Sequence, residues 1–183
     1  MLYTRKGDGG TTKTFGCDQR ISKSSAIAEA LGSLDEVNSF LGLCKVRAAS
    51  HEYSVAGKSF GDIVHWLQSN LFIVQAELAG ADKKIQEAKV KEVERIVDVI
   101  EKELPPITTF FISGGSELAA LFDVARTQAR RAERRVVAVS DEGSRTLSPH
   151  TLAFLNRLSS ILYALARLSN HKSGITEQSP DYK

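Results

Sequence analysis

The sequence predicts an all-α protein, a bundle of about five helices, and three observations carry that prediction. Apolar residues recur at three- and four-residue steps through most of the chain. Serine, glycine and proline punctuate those runs where helices start and stop. No alternating β pattern occurs beyond the first dozen residues. With 183 residues, 42% hydrophobic and 25% charged, the chain is long enough for one domain around one substantial core. The expected organisation is a glycine-rich segment at 1–22, a helical body at 23–172 and a polar, loosely held tail at 173–183 that contains Pro180.

Residues 2–16 combine glycines, hydroxyls and cations between Tyr3 and Phe15, which can anchor the loop. Gly7, Gly9 and Gly10 permit positive φ and can turn N–H groups toward an anion, Thr11 and Thr12 add donors, and Lys6 and Lys13 add charge. Read alone, the loop fits a phosphate cradle or a plain surface turn, and it is no Walker A motif. Ser24 or Ser25 caps a first helix carrying Ile27, Leu31, Leu34 and Leu41. On it Asp35 and Asn38 lie one turn apart, with Gly32 and Gly42 permitting close backbone approach, so Asp35 either meets an arginine of a neighbouring helix or faces water.

Val46 to Lys58 reads as a loop or frayed helix end. Its Gly57-Lys58-Ser59 imitates the end of a Walker A motif, but Glu52 replaces the first glycine and no apolar strand precedes it. A second helix runs from about Phe60, after Ser59, to Gly80, and a third from about Ile85 to Leu104, stopped by Pro105-Pro106. His51 and His65 share no metal-ligand spacing with other candidates. Thr108 to Ser116 forms an apolar knot with a Gly-Gly turn, and its Phe110-Phe111 pair is either core or a ring projected beside the next helix.

That next helix carries Leu118, Leu121, Phe122, Ala125, Ala129, Ala132 and Val136 on one stripe. At about 100° per residue, Arg126, Arg130 and Glu133 fall on one flank of the stripe and Arg131 and Arg135 on the other. For Arg131, Arg134 and Arg135 the expectation is a solvated face with an internal Glu–Arg pair. For Arg126 and Arg130, beside small alanines, an anion or a buried acidic partner stands at least level with that solvated face. After a polar loop at 140–146, Ser148-Pro149 opens the last helix, whose leucines oppose a polar row of Asn156, Ser160, Tyr163 and Arg167.

The net charge of +2 advertises neither nucleic acid nor an anionic membrane. Cys17 and Cys44 lack CxxC or metal-ligand spacing, so no protein-held metal site is expected, and unpatterned thiols suit a reducing cytosol. No apolar run reaches membrane-spanning length and no leader pattern opens the chain, so the expected location is the cytoplasm.

Four separated stretches point to one family: Tyr3-Thr4-Arg5-Lys6-Gly7-Asp8-Gly9-Gly10-Thr11, Gly32-Ser33-Leu34-Asp35-Glu36-Val37-Asn38-Ser39, Arg126 through Arg134, and Phe154-Leu155-Asn156-Arg157-Leu158-Ser159. In order and spacing, over nearly the whole chain, they resemble the PduO-type ATP:cob(I)alamin adenosyltransferases. The resemblance implies a five-helix bundle of the ferritin-like, cobalamin adenosyltransferase kind that assembles as a homotrimer with ATP and corrinoid at subunit interfaces. It implies transfer of the 5′-deoxyadenosyl group of ATP to the Co(I) of a reduced cobalamin or related corrinoid, with Mg²⁺ as companion of the nucleotide.

By the same resemblance Tyr3, Thr4, Arg5, Lys6, Gly7, Asp8, Gly10, Thr11 and Thr12, with Lys23, cradle the triphosphate. Arg130, Glu133 and Asn156 hold ATP from the neighbouring subunit, Asp35 and Arg126 form an inter-subunit ion pair, and Phe110 displaces the corrinoid's lower axial ligand. A flavoprotein reductase and an adenosylcobalamin-dependent client enzyme are the implied partners. Three positions depart from the family pattern: Ser160 stands where aspartate is usual, Ile27 where arginine is frequent and Ser113 where proline is usual. None is a residue assigned to ATP or to the cobalt face. The rival readings are a non-catalytic corrinoid carrier, an RNA-binding bundle, disfavoured by near-neutral charge, and a small kinase, disfavoured by the incomplete Walker A pattern.

Overall fold

A computed structural model describes residues 2–14 and 19–183; Phe15 and Cys17, named above, lie outside the described residues. The described chain runs β1 (Thr11–Lys13), β2 (Arg20–Ser22), α1 (Ala26–Ala48), β3 (Ser54–Val55), β4 (Lys58–Ser59), α2 (Phe60–Ala79), α3 (Glu87–Glu103), α4 (Glu117–Asp141) and α5 (Pro149–Lys172). The five-helix expectation holds.

Four helices start on a serine whose hydroxyl oxygen accepts an otherwise orphaned N–H. Ser25 accepts from Ala28 at 3.3 Å, Ser59 from Asp62 at 3.0 Å, Ser116 from Ala119 at 3.2 Å and Ser148 from Thr151 at 3.3 Å. Gly80, at φ 101°, ends α2 in the left-handed conformation. α3 begins two residues later than its apolar spacing predicts. Ile85 is buried in the core and its N–H donates to the Thr151 hydroxyl at 3.4 Å, which ties it to the start of α5 rather than to its own helix.

The stretch from Val46 to Lys58 is more ordered than expected. α1 continues to Ala48, and β3 and β4 then form a hairpin with Ser54 opposite Ser59, turning through Ala56 and Gly57 at φ 54° and 76°. Two-residue strands are too short for alternation to register in sequence. Lys58 pairs with Glu92 at 2.7 Å and lies 5.7 Å over the Trp66 ring, so its ammonium is committed to the bundle and not to a phosphate.

α1 packs against α2 and α4, α4 also against α5, and α5 also against α3. The middle of the buried face of α4 is small, where Ala125, Ala129 and Ala132 let α1 and α5 approach closely. Larger side chains fill the layers on either side, with Phe60 edge-on to Phe122 at 6.3 Å and Trp66 edge-on to Phe154 at 6.2 Å. Buried Glu77 accepts from the Ser148 N–H at 2.7 Å and the Thr151 hydroxyl at 2.5 Å, which fastens the end of α2 to the start of α5.

The first part of the polar tail, as far as Gln178, makes contacts with the rest of the chain. The Tyr53 and Ser173 hydroxyls lie 3.0 Å apart, Arg167 on α5 pairs with Glu177 at 2.8 Å, and the Ile112 N–H donates to the Gln178 carbonyl at 2.8 Å. Among the described residues no helix is long and apolar enough to cross a membrane.

Candidate functional site

The arginines of α4 are sorted by which of them find an acid. Arg126 pairs with Asp123, three residues earlier, at 3.2 Å. Arg131 pairs with Glu36 at 2.5 Å, while Arg135 meets Glu29 and donates to the Ser33 hydroxyl at 2.6 Å, all on α1. The expected internal Glu–Arg pair of this flank is therefore replaced by cross-helix pairs, because the flank faces an acidic edge of α1. Among the described residues the side chains of Arg130 and Arg134 have neither an ion pair nor a hydrogen bond, and these two line the same cleft.

A first cleft of about 760 Å³ lies between the 107–113 loop, α4 and α5. Asp123, Arg126 and Arg130 supply one wall, and Ser160, Tyr163 and Arg167, three of the four residues of the α5 polar row, supply another. Phe110 stands in the loop, 78% exposed, while the ring of the adjacent Phe111 lies 5.0 Å from the Arg167 guanidinium. The Arg126 guanidinium lies 5.7 Å over the Tyr163 ring, and burial raises the pKa of the Tyr163 phenol, which stays protonated and uncharged.

The loop is fixed at both ends. At its far end Asp123 accepts the Gly114 N–H at 3.2 Å, while Asn170 donates to the Gly114 carbonyl at 2.8 Å and accepts the Ser116 N–H at 2.9 Å. Gly115 sits at φ 102°, and a Cβ there would fall 2.4 Å from the Asn170 Oδ1, so the turn requires glycine on both counts. At its near end Arg167 donates to the Pro105 carbonyl at 3.3 Å.

A second cleft of about 300 Å³ is lined by Arg130, Glu133, Arg134, Val137 and Asn156. Asn156 is held in place, donating to Glu133 at 3.0 Å and accepting from Arg157 at 2.6 Å, while Arg157 is itself fixed by Glu94 at 2.9 Å. Arg130 lines both clefts and so stands at their junction. The cleft pair thus offers an unpaired guanidinium and an oriented amide on one side and an exposed aromatic ring on the other.

The glycine-rich loop is built as a separate unit. β1 pairs with β2, with Thr12 opposite Ile21. Arg20, which sequence reasoning did not single out, donates from Nε to the Thr11 hydroxyl at 2.8 Å and from Nη2 to the Thr11 carbonyl at 2.7 Å and to the Lys6 carbonyl. The Lys23 N–H donates to the Gly10 carbonyl at 2.9 Å, and its ammonium lies 3.1 Å from where a Gly7 Cβ would be. Of the three glycines expected to take positive φ only Gly10 does, at 76°; Arg5, at 57° and with its guanidinium 5.5 Å over the Tyr3 ring, makes the other left-handed turn.

The structure therefore brings together Arg126, Arg130, Glu133, Asn156 and Phe110 within one chain. It does not bring Tyr3, Thr4, Arg5, Lys6, Gly7, Asp8, Gly10, Thr11, Thr12 or Lys23 to either cleft, and Asp35 is exposed on α1 with no ion pair among the described residues. Within the chain the acid that meets Arg126 is Asp123, a residue sequence reasoning passed over although its spacing of three is that of a helical pair. No group of three metal-ligating side chains occurs among the described residues.

The cobalamin adenosyltransferase family model matches residues 2–169. The PduO corrinoid adenosyltransferase of Citrobacter freundii is 36% identical over 170 residues, which cover 93% of this chain and 50% of that protein. The chain thus spans about half the length of that relative, and 53% of the PduO relative from Salmonella typhimurium is covered in the same way. The corrinoid adenosyltransferase of Bacillus subtilis is 38% identical over 181 residues, covering 95% of this chain and 89% of the relative. Among solved structures, a phenylalanine-to-alanine variant of the PduO-type ATP:corrinoid adenosyltransferase of Lactobacillus reuteri, complexed with cobalamin and ATP, is 29% identical. It aligns with a TM-score of 0.86 over 98% of this chain and 99% of that one. With fold, motif order and family match in agreement over nearly the whole length, the chain belongs to the cobalamin adenosyltransferase family.

Proposed function

We propose that the protein transfers the 5′-deoxyadenosyl group of ATP to the Co(I) of a reduced corrinoid, giving an adenosylcorrinoid and triphosphate. The observation that carries this reading is Arg130, an unpaired guanidinium at the junction of an aromatic-rimmed cleft and a polar one. The larger cleft suits the corrinoid and the smaller one ATP, so the reacting cobalt and ribose 5′ carbon meet beside Arg130. A Co–C bond forms as the C5′–O bond breaks, and the electron pair leaves with the triphosphate. No side chain is required as nucleophile. The work of the chain is alignment and stabilisation of charge on the departing oxygens.

Arg130, with Arg134 beside it, supplies that stabilisation, while Asn156, fixed between Glu133 and Arg157, orients the nucleotide. Phe110 places an apolar ring under the corrin, excluding water and the lower ligand, which favours four-coordinate cobalt and eases reduction of Co(II). Mg²⁺ is a companion of the triphosphate, whose charge it partly neutralises.

The assembly that completes the site is a homotrimer, in which the Tyr3–Thr12 loop and Lys23 of one copy close over the second cleft of the next. Two observations support it. The loop lines neither cleft of its own chain, and Asp35, Ser39, Leu43 and Val46 form a stripe along α1 that is exposed among the described residues. Asp35 would there meet Arg126 of the adjoining copy. A flavoprotein reductase that delivers Co(I) and an adenosylcobalamin-dependent client are the partners this chemistry calls for, and the cytoplasm is the compartment that suits it.

The test is an anaerobic reaction of chemically reduced cob(I)alamin with Mg-ATP and the protein, following Co–C bond formation and triphosphate in parallel. Equal amounts of the two products are expected. Binding of both substrates without product would point instead to a corrinoid carrier, and binding of neither would refute the reading.

A further inference from the structure

The C-terminal segment makes a contact that the sequence motifs do not account for. Arg167 is 6% exposed, on the wall of the larger cleft, and its guanidinium gathers the 105–112 loop and the tail. Its Nε donates to Glu177 at 2.8 Å, its Nη2 donates to the Pro105 carbonyl at 3.3 Å, and the Phe111 ring lies 5.0 Å from it. The tail makes a second tie beyond the salt bridge, where the Ile112 N–H donates to the Gln178 carbonyl at 2.8 Å. Pro105 and Ile112 bracket Phe110, which itself has no hydrogen-bonded or ring contact among the described residues.

We propose that Glu177 is a positioning residue for the corrinoid half of the reaction: through Arg167, it holds the 105–112 loop so that Phe110 is presented to the cleft. The inference rests on the corrinoid reading given above. A buried guanidinium left without its carboxylate seeks another partner or water, and either choice releases Pro105 and Phe111 together. The Glu177 side chain is only 16% exposed, so water is a poor substitute for it. Neither Arg167 nor Glu177 lines the second cleft, which makes the expected defect one-sided.

The experiment compares the full-length protein with Glu177→Ala, Glu177→Gln and Glu177→Asp variants. Three readouts are taken: corrinoid and ATP kinetics, the spectrum of bound cob(II)alamin, and amide exchange at Ile112. The Ala and Gln variants are expected to lose about tenfold or more in kcat/KM for the corrinoid, the scale on which reactants respond to ångström displacements, with the ATP KM within about twofold of wild type. The four-coordinate Co(II) signal should shrink, Ile112 exchange should accelerate, and Glu177→Asp should recover part of each.

Equal losses on the ATP and corrinoid sides, or an unchanged Co(II) spectrum with accelerated exchange, would overturn the positioning role. If Glu177→Ala fails to fold, Glu177→Gln, which keeps the volume and a weaker hydrogen bond, decides in its place. An inactive wild type that does not bind corrinoid would sink the functional reading and the corrinoid role with it. In that case Ile112 exchange still tells whether Glu177 holds the loop.

Discussion

Replacing Arg130 with alanine should separate turnover from stability. The side chain is exposed and makes no hydrogen bond or ion pair among the described residues, so its removal leaves no group unsatisfied. Surface changes of that kind shift folding free energy by about 0.5 kcal/mol or less. In the proposed reaction the same guanidinium faces the charge that grows as triphosphate departs. Removing one such preorganised donor costs about 2.7–4 kcal/mol of transition-state stabilisation, or on the order of a hundred- to a thousandfold in kcat. Arg130→Lys, which keeps the charge but loses the planar fork, should fall between wild type and alanine.

The control is Arg131→Ala on the opposite flank. Its exposed pair with Glu36 contributes about 1 kcal/mol at most, and turnover should be unaffected. Steady-state kinetics with reduced cobalamin and Mg-ATP, beside thermal melts of all three variants, give both axes. A folded Arg130→Ala enzyme with near-normal kcat would refute the placement of the reacting atoms. Equal losses in Arg130→Ala and Arg131→Ala would reduce the effect to nonspecific charge.

Three further outcomes follow from local geometry. Gly115→Ala should destabilise the protein by about 2–4 kcal/mol, combining a strained left-handed backbone with displacement of the Asn170 side chain that bonds Gly114 and Ser116, and a chemical melt reads it directly. Hydrogen bonds from Arg95 and then Lys58 hold the Glu92 carboxyl down to about 2, below its ordinary 4.5. Its contribution is therefore present above pH 4.5 and lost as the pH falls toward 2. Since both cations are partly exposed, the contribution is about 1 kcal/mol, and Glu92→Gln should flatten that part of the stability-against-pH curve. Burial pushes the Cys44 thiol up to about 12, so peptide mapping after alkylation at pH 8 should find Cys44 unmodified in the folded protein and modified only after unfolding.

The elements were legible where local chemistry decides them. The serine caps at Ser25, Ser59 and Ser148 and the Gly80 stop follow from the demands of unsatisfied N–H and carbonyl groups, which are the same in any fold. The β3–β4 hairpin was invisible because two-residue strands carry no period. The partners of Arg131 and Arg135 were misjudged for a different reason. Helical spacing says which flank a side chain occupies but not which neighbouring helix brings Glu36 and Glu29 to that flank. The tail was hardest of all, since Glu177 sits in a polar segment with no period and its importance comes from an arginine ten residues away.

The pattern of acids, more than the cluster of arginines, defines the candidate site. An arginine helix without acids nearby would present five comparable cations, and any of them could bind phosphate. Here Asp123, Glu36 and Glu29 occupy three of the five, and each pair has a structural consequence. Asp123 is the most telling: one carboxylate oxygen takes Arg126, and the other takes the Gly114 N–H at the end of the Phe110 loop. The pair with Asp123 uses the Arg126 Nε and leaves the terminal nitrogens available. In the proposed trimer, Asp35 of an adjoining copy approaching those nitrogens would act on a guanidinium already coupled to the loop. Assembly and presentation of Phe110 would then be linked through Arg126, while Arg130 and Arg134, without an acid among the described residues, would keep their charge for the proposed nucleotide.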